Sequence, residues 1–314
     1  MSMNIPFFER LTTAQNILIS GAGGGFDIYT GLPLYFSLQA YGKNVYLANY
    51  SFAKLEETDA KIIFPGCLKI TPETKMPSNN YFPEKHLATW LANQGQNIPL
   101  YAFEPTGVQP LKNGYEHLIK QHNLDTIILV DGGTDSLMHG DEEELGTPIE
   151  DSTSLAAVHQ VNVPHKYLTC IGFGIDGISH SQFLENVAAL TNKGFLGTAN
   201  LSLDMPEVKK FVQAVDDANS QMPGNESIIC NSIVSALEGH FGKYHRIPRT
   251  KKSNLQITPL MSLYWCFELE AVAKQLQYYE LMRETETHDQ VGQKIAKYRM
   301  EMTKFRAPLK IPLW

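Results

Sequence analysis

The chain has 314 residues, 43% apolar and 19% charged, which excludes a disordered segment and supplies enough length to bury a sizeable core. A formal net charge of −7 argues against a general affinity for nucleic acid or an anionic membrane surface. Cys67, Cys170, Cys230 and Cys266 lie far apart with no CxxC spacing, so neither a disulfide framework nor a zinc site is expected.

Residues 1–14 carry no signal-like apolar stretch, and nowhere do about 18 apolar residues run together. A cytoplasmic, reduced protein is expected, without a nucleic-acid or membrane partner. Asn16–Ser20 reads as a first strand, Leu32–Tyr41 as a helix and Asn44–Ala48 as a second strand. The stretch Phe64–Pro83, rich in Pro, Asn and Thr, reads as a long surface loop suited to a lid. Glu84–Asn93 has helical spacing, with Leu87, Trp90 and Leu91 on one face. Ile98–Phe103 is strand-like and Gly114–His122 helical.

Thr126–Val130 (TIILV) is the clearest buried strand, closed by Asp131-Gly132-Gly133. A helix over Ser152–Val161, a strand over Tyr167–Phe173 and a helix over Ser181–Asn192 complete the alternation. Such βαβ alternation predicts an α/β, Rossmann-like three-layer fold with a mainly parallel sheet. Beyond Leu203 the pattern becomes helical: Val208–Ala218, Glu226–Leu237 and Glu268–Phe305, with one strand near Leu255–Thr258. A single α/β domain over residues 1–314 is expected, its core about 14–203 and a helix-rich C-terminal extension about 204–314.

Three strands end in related punctuation: GAGGGFD (Gly21–Asp27), DGGTD (Asp131–Asp135) and GFGIDG (Gly172–Gly177). In an open parallel sheet, ligands bind outside the carboxyl ends of the strands, where such loops converge. Backbone N–H groups of Gly23, Gly24 and Gly25 suit a phosphate, with Gly21, Gly132, Gly133 and Gly174 permitting close approach. The carboxylates Asp27, Asp131, Asp135 and Asp176 suit ribose hydroxyls or a hard divalent cation such as Mg²⁺ or Ca²⁺. Asp27, Asp131 and Asp135 are the candidate metal ligands; Asp131, Asp135, Asp176 and His139 are the candidate catalytic groups.

Each has a structural alternative. The glycines suit tight turns and the aspartates Asx-turns. Several carboxylates at one strand edge nevertheless repel one another unless something offsets them. Asp151 is equally suited to capping a helix or contacting a ligand. His139, beside the acidic run Asp141–Glu144, has the commoner alternative of a solvated loop residue, as has His180; His240 and His245 read as turn residues or basic contacts. The basic run Lys243–Lys252 is either a solvated loop or the edge of an anion site. No GxSxG, HExxH or P-loop pattern occurs, which weighs against nucleophilic-serine, zinc-protease and P-loop readings.

The order GAGGGFD, VDGGTDSLMHGDEEELGTPIEDSTSLAA, GFGIDG and NESIICNSIVSALEGHFGKYHRI resembles the uncharacterised family called domain of unknown function 1152, over roughly Asn16 to Thr258. The family has Gly-Glu where this chain has Gly177-Ile178, and Thr134 moves Asp135 by one place. The resemblance implies the fold and the site without a reaction. Gly21-Ala22-Gly23 with Gly31-Leu32-Pro33 is also similar to the sirtuin turn that holds a nicotinamide dinucleotide. The sirtuin zinc cysteines and catalytic histidine motif are absent, so that likeness implies a nucleotide- or dinucleotide-accommodating turn, not deacylation.

The residues together predict a small-molecule enzyme for a phosphorylated or nucleotide-like ligand, working by metal-assisted hydrolysis or group transfer. A homo-oligomer is compatible with this reading. The alternatives are a non-catalytic metabolite sensor, or an interaction protein whose glycine loops hold nothing. Asn49 stands where a dinucleotide enzyme of hydride transfer places an acid, so that chemistry is not expected.

Overall fold

The computed structural model describes residues 4–144, 146, 148–175 and 177–310. Among the described residues, nine strands form one sheet: β1 Asn16–Gly21, β2 Asn44–Tyr50, β3 Lys61–Phe64, β4 Cys67–Ile70, β5 Leu100–Phe103, β6 Thr126–Gly132, β7 His165–Ile171, β8 Phe195–Asn200 and β9 Leu263–Glu268. Their order is β3-β4-β5-β2-β1-β6-β7-β9-β8. The five central strands are parallel, and an antiparallel pair flanks them on each side.

The helices are α1 Pro6–Leu11, α2 Asp27–Thr30, α3 Leu32–Ala40, α4 Pro83–Asn93, α5 Val108–His122, α6 Pro148–Gln160, α7 His180–Leu190, α8 Pro206–Gln221, α9 Ile228–Leu237, α10 Leu269–Ala273, α11 Tyr279–Met282 and α12 His288–Glu301. Strand periodicity sorts the core into two layers, because successive side chains point to opposite faces. Ile17, Ile19, Ile128 and Val130 pack with α1–α4, α8 and α9 on one face. Leu18, Ile127 and Leu129 pack with α5–α7 and α10–α12 on the other. TIILV is buried along its whole length because both faces are covered, as expected for a strand central to a parallel sheet.

The fold is the expected three-layer α/β type, and three local expectations change. Phe64–Pro83 contains β4, which pairs with β5; residues 71–82 carry the remaining loop. Ile257 makes one bridge to Gly242, and the C-terminal strand is instead the aromatic-rich β9. The long helix expected over Glu268–Phe305 is three helices. Thr285 turns the chain with its hydroxyl on Met282 O, and the Thr287 side chain caps α12 by accepting from Gln290 N. Among the described residues, no helix is long and apolar enough to cross a membrane.

Chain order positions the site. From β1 the chain passes to β2, then to the edge strand β3 and inward through β4 to β5, before it crosses to β6 and continues to β7 on the other side. The topological switch point therefore lies between β1 and β6. A crevice opens there at the strands' carboxyl ends.

Candidate functional site

The loop after β1 turns through Gly24 and Gly25, whose φ values of +94° and +59° favour glycine. It closes on itself: Gly23 N–H donates to Asp27 Oδ2 at 2.6 Å, and Thr30 Oγ1 donates to Asp27 O. After β6, Asp131 Oδ2 accepts from Ser136 N at 3.0 Å and from Ser136 Oγ at 2.5 Å. Ser136 Oγ also meets Cys170 Sγ on β7 at 3.3 Å, so β6, the turn that follows it and β7 meet at that carboxylate.

Asp151 supplies the third wall. It lies inside the first turn of α6 rather than at its cap, and is 4% exposed. A Cβ on Gly23 would sit 2.5 Å from Asp151 Oδ2, and one on Gly132 would sit 2.8 Å from Asp27 Oδ1. Glycine at these two positions lets carboxylates approach the loops. The N–H of Gly23 is already committed to Asp27, so it does not belong to an open phosphate cradle.

One carboxylate oxygen from each of Asp27, Asp131 and Asp151 lies within 4.8 Å of the others, and all three residues are buried. Asp151 Oδ1 is buried with no hydrogen-bond partner. Burial first, then the charges of Asp131 and Asp135, push the Asp27 carboxyl well above its usual range. Burial, then Asp131, Asp135 and Asp27, do the same to Asp151. Such a cluster is uncomfortable as a set of anions and relaxes by taking up protons or a cation.

These groups line a cavity of about 360 Å³ together with Gly133, Asp135 and Glu150. The third loop reaches its margin, since a Cβ on Gly177 would lie 2.7 Å from Asp135 Oδ1; Asp176 lies outside the described residues. Gly174 faces a separate cavity of about 330 Å³ with His180, whose ring stacks on Phe173. His139 is not among the residues lining the aspartate cavity; its Nε2 meets Gln275 Oε1 at 2.9 Å. His240 stacks on Tyr244 and His245 bonds Thr250, both away from the carboxylates.

Phe52 carries no motif in the sequence, Tyr81 belongs to the stretch Phe64–Pro83 and Ser227–Ile229 to NESIICN; all of them line the cavity. Of the basic run, Arg246 is spent on Asp216 and Glu238, whereas Arg249 reaches the cavity rim. Asn49 lies beneath the glycine loop, donating to Gly25 O at 2.8 Å and to Glu84 Oε1 at 2.7 Å. Burial pushes the fully enclosed Glu84 up to about 7, against the Asn49 hydrogen bond. No motif announced Glu84; only its place at the start of α4 brings it under the loop.

A second acidic cluster joins His139, Asp141 and Glu142. Arg306 fills it, its Nη2 donating to Glu142 Oε1 at 2.8 Å and Asp141 Oδ1 at 2.9 Å, its Nη1 to Glu185 at 2.6 Å. Burial works against ionisation of Asp141, but the Arg306 hydrogen bonds and charge hold its carboxyl below the ordinary value. Arg299 donates to the carbonyls of Gly140 and Glu142 and secures the same loop.

Fold and crevice together define a Rossmann-like α/β protein with a carboxylate cluster at its switch point. The chain belongs to the family described as Protein of unknown function (DUF1152), whose model matches residues 18–304. No curated protein and no solved structure matches it.

Proposed function

We propose that the crevice binds a divalent cation, Mg²⁺ or Ca²⁺, through Asp27, Asp131 and Asp151, and with it a small phosphorylated or nucleotide-like ligand. The reading is of an enzyme of hydrolysis or group transfer, with Asp135 and Glu150 at the same cavity to orient water or an acceptor hydroxyl. What carries it is the approach of three buried carboxylate oxygens to within 4.8 Å, with Asp151 Oδ1 unpartnered. Buried acids packed so closely are costly without a compensating charge. Asn49, whose Nδ2 is engaged by Gly25 O and Glu84, supports a compact ligand over a dinucleotide reaching across β2.

The test is calorimetric titration of Mg²⁺, Ca²⁺ and Mn²⁺ into the full chain and into Asp131→Asn and Asp151→Asn. Binding that both variants strongly weaken is the expected result; equal heats from all three proteins would sink the assignment. Incubation of the cation-loaded protein with a nucleotide and sugar-phosphate panel, read by mass spectrometry, distinguishes turnover from retention of intact ligand. Retention would assign the chain to the sensor class.

A further inference from the structure

We infer that Arg249 and the first turn of α9 form the anion subsite of the crevice, receiving the phosphate of a ligand that enters as its cation complex. This deepens the cation reading above and rests on it. Asp27, Asp131, Asp135, Glu150 and Asp151 line the cavity, and Arg249 is the one Lys or Arg among its described lining residues. A ligand with only hydroxyls would have no use for that guanidinium. An anionic ligand would be repelled by the carboxylates unless positive charge met it on both sides.

Arg249 is placed for that role. Its Nη1 donates to Glu226 O at 2.8 Å, which anchors this exposed side chain at the cavity rim. Among the described residues it forms no ion pair, in contrast to Arg246 three positions earlier, which is held by Asp216 and Glu238. Ser227 Oγ accepts from Cys230 N, so the N–H groups of Ile228 and Ile229, the first two of a ten-residue helix, keep no helical acceptor. Both residues line the cavity, and their donors and the helix dipole favour an anion.

A second, independent feature of the same cavity calls for a ligand: Asp151 Oδ1 is buried and unpartnered there. The cavity thus pairs a carboxylate wall, short of positive charge, with a rim holding an unpaired guanidinium and two unspent N–H groups. A cation bound to a phosphate group complements both at once. Arg249 is accordingly a specificity-determining residue, selecting phosphorylated over neutral ligands.

The experiment uses the full chain and two probes. Mn²⁺ is titrated alone, then ribose 5-phosphate and ribose are titrated separately at saturating Mn²⁺, into wild type, Arg249→Met and Arg249→Lys. Wild type should prefer ribose 5-phosphate, and Arg249→Met should weaken that binding at least about tenfold, as expected for a lost charge-assisted contact. Its Mn²⁺ affinity should stay within about twofold of wild type, because the guanidinium does not ligate the ion. Arg249→Lys should fall between, since a point charge keeps attraction without the fork. If wild type binds Mn²⁺ but shows no phosphate preference, or Arg249→Met keeps it, the subsite is wrong while the cation reading stands. If wild type binds no Mn²⁺, both fall.

Discussion

The molecule holds two acidic clusters built from similar parts and finished in opposite ways. In the His139–Glu142 loop, the chain supplies its own cation: Arg306 satisfies Asp141, Glu142 and Glu185, and Asp141 ionises more readily than an ordinary aspartate. At the switch point, Asp27 and Asp151 form no ion pair among the described residues, and both resist ionisation. Carboxylates that fold with a guanidinium between them are structural. Carboxylates that fold against one another, with glycine where a Cβ would obstruct them, are what the proposed cation would complete.

The largest effect should come from breaking the finished cluster. Arg306→Ala strands Glu142, which is fully buried, and should cost about 3–5 kcal/mol, measured by chemical denaturation. The variant should bind cations as wild type does wherever it remains folded. Unchanged stability would mean that Arg306 is not what completes this cluster.

Glu84 sits between the two cases, with one oxygen bonded and the other buried without a partner. Its carboxyl is raised from 4.5 to about 7 by burial. The associated stability is therefore full below pH 4.5 and is lost as pH rises through 7, amounting to about 3 kcal/mol. Glu84→Gln should flatten the fall in metal-free stability over that window; an identical pH curve would show that Glu84 does not titrate there.

The smallest effect, and the sharpest for the comparison, belongs to the unfinished cluster. Asp151→Asn should lose about a hundredfold in cation affinity, some 2.7 kcal/mol. Metal-free, it should be as stable as wild type or more so at pH 8, because a buried acid has been relieved of repulsion. The Asp27 and Asp151 carboxyls are raised in the folded state, so their stabilising contribution is present at low pH and lost as pH rises through their folded values. Cation-induced rises in Tm should accordingly grow with pH. A destabilised Asp151→Asn that still binds the ion would reverse the contrast between the clusters.

How much of this the sequence disclosed follows from the range of the forces involved. TIILV and the glycine-aspartate loops were legible because burial on both faces and tight turns leave local marks. Asp151 was readable as a site residue or a cap, and only the packing of α6 against Gly23 separates the two. Arg249 looked like Arg246 in sequence; among the described residues Arg246 found ion-pair partners and Arg249 did not. β3, β4 and β8 are four to six residues long, and their pairing is set by neighbours far along the chain. His139 carried a polar-loop signature that fits its bond to Gln275 as well as it fits catalysis. Glu84 gave no signal, since its enclosure is entirely tertiary.

The chain's route through the sheet has a further consequence. Asp27 follows β1, whereas Asp131 and Asp151 belong to the return through β6 and α6. The parallel sheet on either side of that seam is continuous only through the β1–β6 ladder, from Ile17 opposite Thr126 to Gly21 opposite Val130. An ion shared by these three residues would rivet the ladder at its open end. It would have to depart before the strands could part, so occupancy would register as a longer-lived native state even where the resting shape is unaltered.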